Sequence, residues 1–202
     1  MSLPDFYHTI EKPSFAEYKD RGSRFLAFAF PVSTADDFKK RMKELKEAHA
    51  KAVHHCFAYR IGIDGNNFRT GDDGEPSGTA GKPILGQLDS KGLTDMAVIV
   101  VRYFGGTLLG VPGLINAYKT STSLALQLTP IIQKPVLVKY EINFDYTLMN
   151  EVMMTVKRFG CSVMENEMQL FCRMVIGIPK ADEDHCRLRF EEMHGVEVKK
   201  SM

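Results

Sequence analysis

Apolar positions along this chain come in short runs whose period changes repeatedly between two and about 3.6. Arg24–Val32 (RFLAFAFPV) reads as a strand rich in aromatics. Ser33 and Thr34, with Asp36 and Asp37 just beyond, form a helix-start signature. Phe38, Met42 and Leu45 then recur at i, i+4 and i+7 while Lys39, Lys40, Lys43 and Lys46 face away, which predicts an amphipathic helix ending near His49. Cys56–Ile63 is a second strand, and the turn Asp64-Gly65-Asn66 folds it back on Asn67–Thr70 as a hairpin. A glycine-rich loop, Gly71 to Gly81, leads to a short helix around Ile84, Leu85 and Leu88. Ala97–Val101 (AVIVV) is continuously apolar, the mark of a strand covered on both faces and therefore central in its sheet. A helix follows from about Pro112 to Leu128, with Leu114, Ala117, Ser121, Leu124 and Leu128 on one face. Lys119 is its only charge, so the pattern predicts a helix covered around most of its circumference.

Past Pro130 the pattern restarts. Val136–Phe144 is a strand, and Tyr146–Phe159 a helix with Leu148, Val152, Val156 and Phe159 on one side, stopped by Gly160. Cys161–Glu165 and Gln169–Ile178 are strands joined by a tight turn near Asn166-Glu167. Lys180–Met193 is a helix, and Gly195–Lys199 a closing strand. The order βαββαβ is the ferredoxin-like arrangement. The division this implies is a first domain over 1–130, a linker over 131–136 and a second domain over 137–202. Fold class is α+β.

Charge and composition narrow the function. The net charge is +1 and 25% of residues are charged, which excludes whole-surface attraction to nucleic acid but not a local basic patch. Residues 1–134 hold 17 Lys/Arg against 14 Asp/Glu, or +3; the remainder holds 9 against 11, or −2. No apolar run is long enough for a membrane span, and the N-terminus lacks a signal-peptide core. Cys56, Cys161, Cys172 and Cys186 include no CxxC pair, so zinc-ribbon and thioredoxin-type chemistry is unsupported and the four read as reduced thiols in a cytoplasmic protein.

Two segments carry more chemistry than packing needs. Asp72-Asp73-Gly74-Glu75-Pro76-Ser77-Gly78-Thr79-Ala80-Gly81 puts three carboxylates within four residues, among glycines that permit left-handed backbone. It reads as a solvated turn capping the next helix, as a divalent-metal loop, or as a contact for a basic partner. Arg102-Tyr103-Phe104-Gly105-Gly106 places a cation at the end of the buried strand, then two glycines, then a helix start. Those are the parts of an anion site. The alternative is that Arg102 pairs with the acidic loop while the glycines allow tight packing. Neither a GxGxxG nor a P-loop is present. His54 and Cys56 share a strand face without an identifiable orienting group, so no catalytic residue is assigned. The basic stretch Lys39, Lys40, Arg41, Lys43, Lys46 and Lys51 is either a solubilising face or a phosphate contact.

Together, Asp72-Asp73-Gly74-Glu75-Pro76 with Gly78-Thr79-Ala80-Gly81, then Arg102 through Gly110, resemble the signature of the YigZ/IMPACT family. His55-Cys56, Ala58-Tyr59-Arg60 and Ala117-Tyr118 agree with it, while Pro112 stands where the family carries glycine. The resemblance covers about residues 1–130. It implies a first domain similar to the second domain of small-subunit ribosomal protein five, a fold also found in elongation factor G and in several ATP-using enzymes. It implies a second domain similar to the ferredoxin-like fifth domain of elongation factor G. Eukaryotic members regulate a starvation-responsive translation kinase. The expected function is non-enzymatic binding in translation or RNA metabolism, with RNA, the ribosome or a translation-control protein as partner and no cofactor or metal. A phosphate- or nucleotide-handling enzyme is the alternative. The candidate ligand-binding residues are Asp72, Asp73, Glu75, Gly78, Thr79, Gly81, Arg102, Tyr103, Gly105, Gly106, Asn116 and Lys119.

Overall fold

The computed structural model describes residues 4–201 of an α+β chain. Contacts divide it into two units, Tyr7–Lys134 and the part from Pro135 onward, which also takes in the residues just before Tyr7. In chain order the first unit holds β1 (Phe6–Ile10), β2 (Ser14–Asp20), β3 (Ser23–Pro31), α1 (Ala35–Ala48), β4 (His54–Ile61), β5 (Asn67–Gly71), α2 (Gly81–Ser90), β6 (Met96–Tyr103), α3 (Gly110–Gln127) and β7 (Ile131–Pro135). The second holds β8 (Leu137–Asp145), α4 (Met149–Arg158), β9 (Ser162–Glu167), β10 (Phe171–Pro179), α5 (Glu183–Glu191) and β11 (Val196–Lys200).

Five strands of the first unit form an antiparallel sheet in the order β2-β3-β6-β4-β5. The continuously apolar strand is its centre: every residue of β6 from Met96 to Arg102 is buried. Alternation sends Val98, Val100 and Arg102 to one face and Ala97, Ile99, Val101 and Tyr103 to the other. The first face packs on α2 and α3 through Ile84, Leu88, Leu114, Ala117 and Tyr118. The second packs on α1 through Phe38 and Leu45. Thr34 caps α1 by accepting from the Asp37 N–H, while the Asp37 carboxylate accepts from the Thr34 N–H, the reciprocal box that the sequence signature implied.

Three features depart from the pattern. β1 and β2 lie outside the strands read from sequence. Residues 131–136, expected as a linker, contain β7, which pairs with β1 in a separate two-stranded sheet. α3 is buried on one side only, leaving Val111, Ile115, Asn116 and Lys119 exposed, because low charge there does not mean a second covering layer. In the second unit the sheet order β11-β8-β10-β9, antiparallel throughout, is that of the βαββαβ sandwich. Its turn falls at Met168–Leu170. The core is built from Ile142, Phe144, Val152, Met174, Ile176 and Phe190. The four cysteines are free thiols.

Candidate functional site

The acidic loop and the end of β6 meet on the inner face of the first sheet. The antiparallel register sets His54 of β4 beside Arg102 and Cys56 beside Val100, while the loop after β5 folds over both strand ends. Each carboxylate of the loop has its own partner. Asp72 accepts from the backbone N–H groups of Gly78 at 2.9 Å, Ala80 at 3.1 Å and Gly81 at 2.8 Å. It thereby caps α2, whose own N-cap residue, Ala80, has no side chain to do so. Burial alone would raise the Asp72 carboxyl; those three N–H donors and the Lys82 charge outweigh it and hold the group below its ordinary value. Asp73, in left-handed backbone at φ +42°, accepts from the His55 N–H at 2.7 Å. Its carbonyl lies 2.7 Å from His54 Nδ1, and since a carbonyl only accepts, that nitrogen carries the proton.

Glu75 turns inward. Its Oε1 accepts from Arg102 Nη1 at 2.6 Å and from the Tyr118 hydroxyl at 2.7 Å, and His54 Nε2 lies 3.8 Å away. Arg102 is only 5% exposed. Its guanidinium sits 5.3 Å from the Phe25 ring and 5.7 Å from the Phe104 ring, and Nη2 reaches Ser23 Oγ at 3.4 Å. Its Nε has no partner among the described residues. Behind the pair, the Cys56 thiol shares its proton between the Asp72 carbonyl and the Tyr118 hydroxyl. Burial pushes both the thiol and the phenol well above their usual values, so both stay protonated at neutral pH.

The twin glycines have separate duties. A Cβ on Gly105 would fall 1.9 Å from the Gly22 carbonyl carbon, so only glycine lets these two backbone turns meet. The Gly105 N–H then donates to Ser23 Oγ at 3.1 Å. Gly106 adopts φ +84° with open space around it. Thr79 is buried and donates its hydroxyl proton to the Pro76 carbonyl. The Glu75–Arg102 pair lines a cleft of about 390 Å³ together with Val53, His54, Pro76, Phe104, Leu108, Val111 and Leu114.

Of the residues singled out from sequence, Glu75 and Arg102 come together in this cleft. Asp72, Gly78 and Gly81 form the cap of α2, and Asp73 is fixed to β4. Tyr103 points to the opposite sheet face, where its hydroxyl lies 3.0 Å from His49 Nδ1. Asn116 and Lys119 are exposed on α3 and are not among the residues lining the cleft. Sequence reading passed over Ser23, Phe104 and the role of Tyr118. A lone tyrosine on the inward side of a nearly uncharged helix was the signal available for the last of these.

Residues 21–126 match the model of the Impact N-terminal domain. IMPACT family member YvyE of Bacillus subtilis (strain 168) is 36% identical over 146 residues, covering 72% of this chain and 67% of its own length. IMPACT family member YigZ of Escherichia coli (strain K12) is 31% identical over 161 residues, covering 79% of each. A solved structure described as that of a hypothetical protein is similar over 99% of both chains, with TM-score 0.79 and 26% identity. An inward-turned acidic loop locked to a strand-ending arginine thus lies within the matched segment, and the chain belongs to the IMPACT family.

Proposed function

We propose that this chain is a non-enzymatic binding protein of translation or RNA metabolism, acting in the cytoplasm and contacting RNA or a ribosome-associated partner. The supporting observation is that the charges at the end of β6 are balanced internally, with only Arg102 Nε left without a partner among the described residues. Glu75 balances the charge of Arg102, and Cys56 and Tyr118 are held protonated around the same carboxylate. What they leave toward solvent is an apolar-walled recess suited to recognition. Family membership adds support through the translation-regulating role that the resemblance implies. Among the described residues no helix is long and apolar enough to cross a membrane. Phosphate or nucleotide handling is less well served, since Glu75 already balances the charge of Arg102.

The test is co-sedimentation with ribosomes, together with filter binding of tRNA and bulk RNA, at low and physiological salt. Association that weakens with salt is expected; no association under any condition refutes the reading. Thermal-shift screening with nucleotides and Mg²⁺ checks the enzyme alternative, because a ligand at 100 times its Kd would stabilise by about 2.7 kcal/mol. No such shift is expected.

A further inference from the structure

The four thiols of this chain have two kinds of surroundings. Cys56 and Cys172 are buried, and each sulfur meets oxygen: Cys56 the Asp72 carbonyl and the Tyr118 hydroxyl, Cys172 the Gln169 carbonyl at 3.3 Å. A thiol so placed is a small core filler with a weak donor. Cys161 and Cys186 instead meet each other across 25 positions of chain, with their sulfurs 3.6 Å apart. Cys186 lies on α5, fully buried in the core of the second unit. Cys161 is partly exposed. It stands between α4 and β9, directly after Gly160, whose left-handed backbone at φ +60° has open space around it.

That asymmetry gives the two sulfurs different chemistry, because the thiolate and not the thiol is the nucleophile. The Cys186 S–H donates to the Cys161 sulfur, and this outweighs partial burial and the nearby Asp182 charge to hold the Cys161 thiol below its ordinary value. The same contact, with burial, pushes the Cys186 thiol up. Cys161 is therefore the sulfur that ionises and that a reagent from solvent meets, while Cys186 waits protonated beside it. The sulfurs of a disulfide lie about 2.05 Å apart, so closing the pair from 3.6 Å takes a shift of about 1.5 Å. Cys161 precedes Ser162, the residue of β9 that faces Gly177 of β10, so the shift falls in a connection and leaves that ladder intact.

We propose that Cys161 and Cys186 form a reversible oxidation site for hydrogen peroxide, with Cys161 the sulfur attacked and Cys186 the sulfur that resolves it. In the first step the Cys161 thiolate attacks one peroxide oxygen. An S–O bond forms, the O–O bond breaks, and the departing hydroxide takes a proton from solvent, leaving a sulfenic acid. In the second the Cys186 sulfur displaces that oxygen. The S–S bond forms, the S–O bond breaks, and hydroxide leaves with the Cys186 proton as water. Two thiols and one peroxide thus give one disulfide and two waters, and a small thiol reverses the change by exchange. The bond closes a loop that holds β9 and β10, and so strengthens the second unit against unfolding. This site is independent of the RNA reading.

The test is to treat the full, folded chain with one equivalent of hydrogen peroxide, alkylate the remaining thiols and map the peptides without reduction. A peptide joining Cys161 to Cys186 within one chain is expected, and dithiothreitol should release it. Cys161 should be consumed at least about tenfold faster than Cys56 and Cys172. Cys186→Ser should leave Cys161 as a sulfenic acid that dimedone traps, whereas Cys161→Ser should leave Cys186 a free thiol. The oxidised wild type should unfold at higher urea than the reduced one, and Cys161→Ser should lose that difference. Circular dichroism checks each variant, and since Cys161 is the partly exposed partner, its substitution carries the test should Cys186→Ser fail to fold. Consumption of Cys161 no faster than that of Cys56 and Cys172 would overturn the proposal. So would a wild-type chain in which Cys161 gains oxygen while Cys186 stays free, or a cross-link formed only between chains.

Discussion

Arg102 has only 5% of its surface exposed, and Glu75 beside it 9%. Two charges so far out of water are tolerable only as a pair. Removing one strands the other, at a typical cost of about 3–5 kcal/mol, whereas replacing both by apolar groups can come close to neutral. Arg102→Met should therefore lower unfolding stability in urea by about that amount, and adding Glu75→Leu should recover a large part of it. A single variant as stable as the wild type would show that the pair is not buried in solution. This pairing was half legible from sequence. A cation ending an apolar strand and carboxylates in a glycine loop are visible in order, and pairing between them was one of the two alternatives they offered. Tyr118 and Ser23 were not legible, because they reach the pair across 43 and 79 positions of chain and nothing local marks them.

At the scale of elements, α2 shows how a helix without a capping residue acquires one from a distance. Ala80 offers no acceptor, and Asp72, the first residue after β5, supplies it through three N–H groups. Because the folded Asp72 carboxyl lies below its unfolded value of about 3.9, its contribution is fully present above that pH. It is lost as pH falls through the folded value. Asp72→Ala should cost about 1–2 kcal/mol near pH 7. The gap from wild type should narrow progressively in melts below about pH 4; a gap constant with pH would separate the carboxylate from the cap. Helix starts and the central strand were readable because Thr34 with Asp37, and Ala97–Val101, state their roles locally. β2 was not, since its large apolar residue, Phe15, faces outward while small Ala16 is buried, inverting the phase that alternation leads one to expect. α3 misled differently: its small uncharged residues suit burial, yet one side of it meets solvent.

At the scale of the molecule, each unit has its own buried centre. We propose that the part from Pro135 onward is a domain in its own right. Expressed alone from Pro135, it should unfold in urea in one cooperative transition with mixed helix and sheet circular dichroism; a gradual melt would refute this. It should be less stable than in the full chain, because it lacks Asp5, whose carbonyl accepts from the Val136 N–H at 2.8 Å. The first unit leaves a different trace, in the substitutions its strands can accept. Most strands have one inner and one outer face, so replacements would be rejected at every second position. β6 has helices over both of its faces, and seven successive residues of it have no outward side. A saturation library scored for folded protein should therefore lose its two-residue rhythm along Met96–Arg102 and show an unbroken block of intolerance, while β9, exposed along its whole length, drifts almost freely.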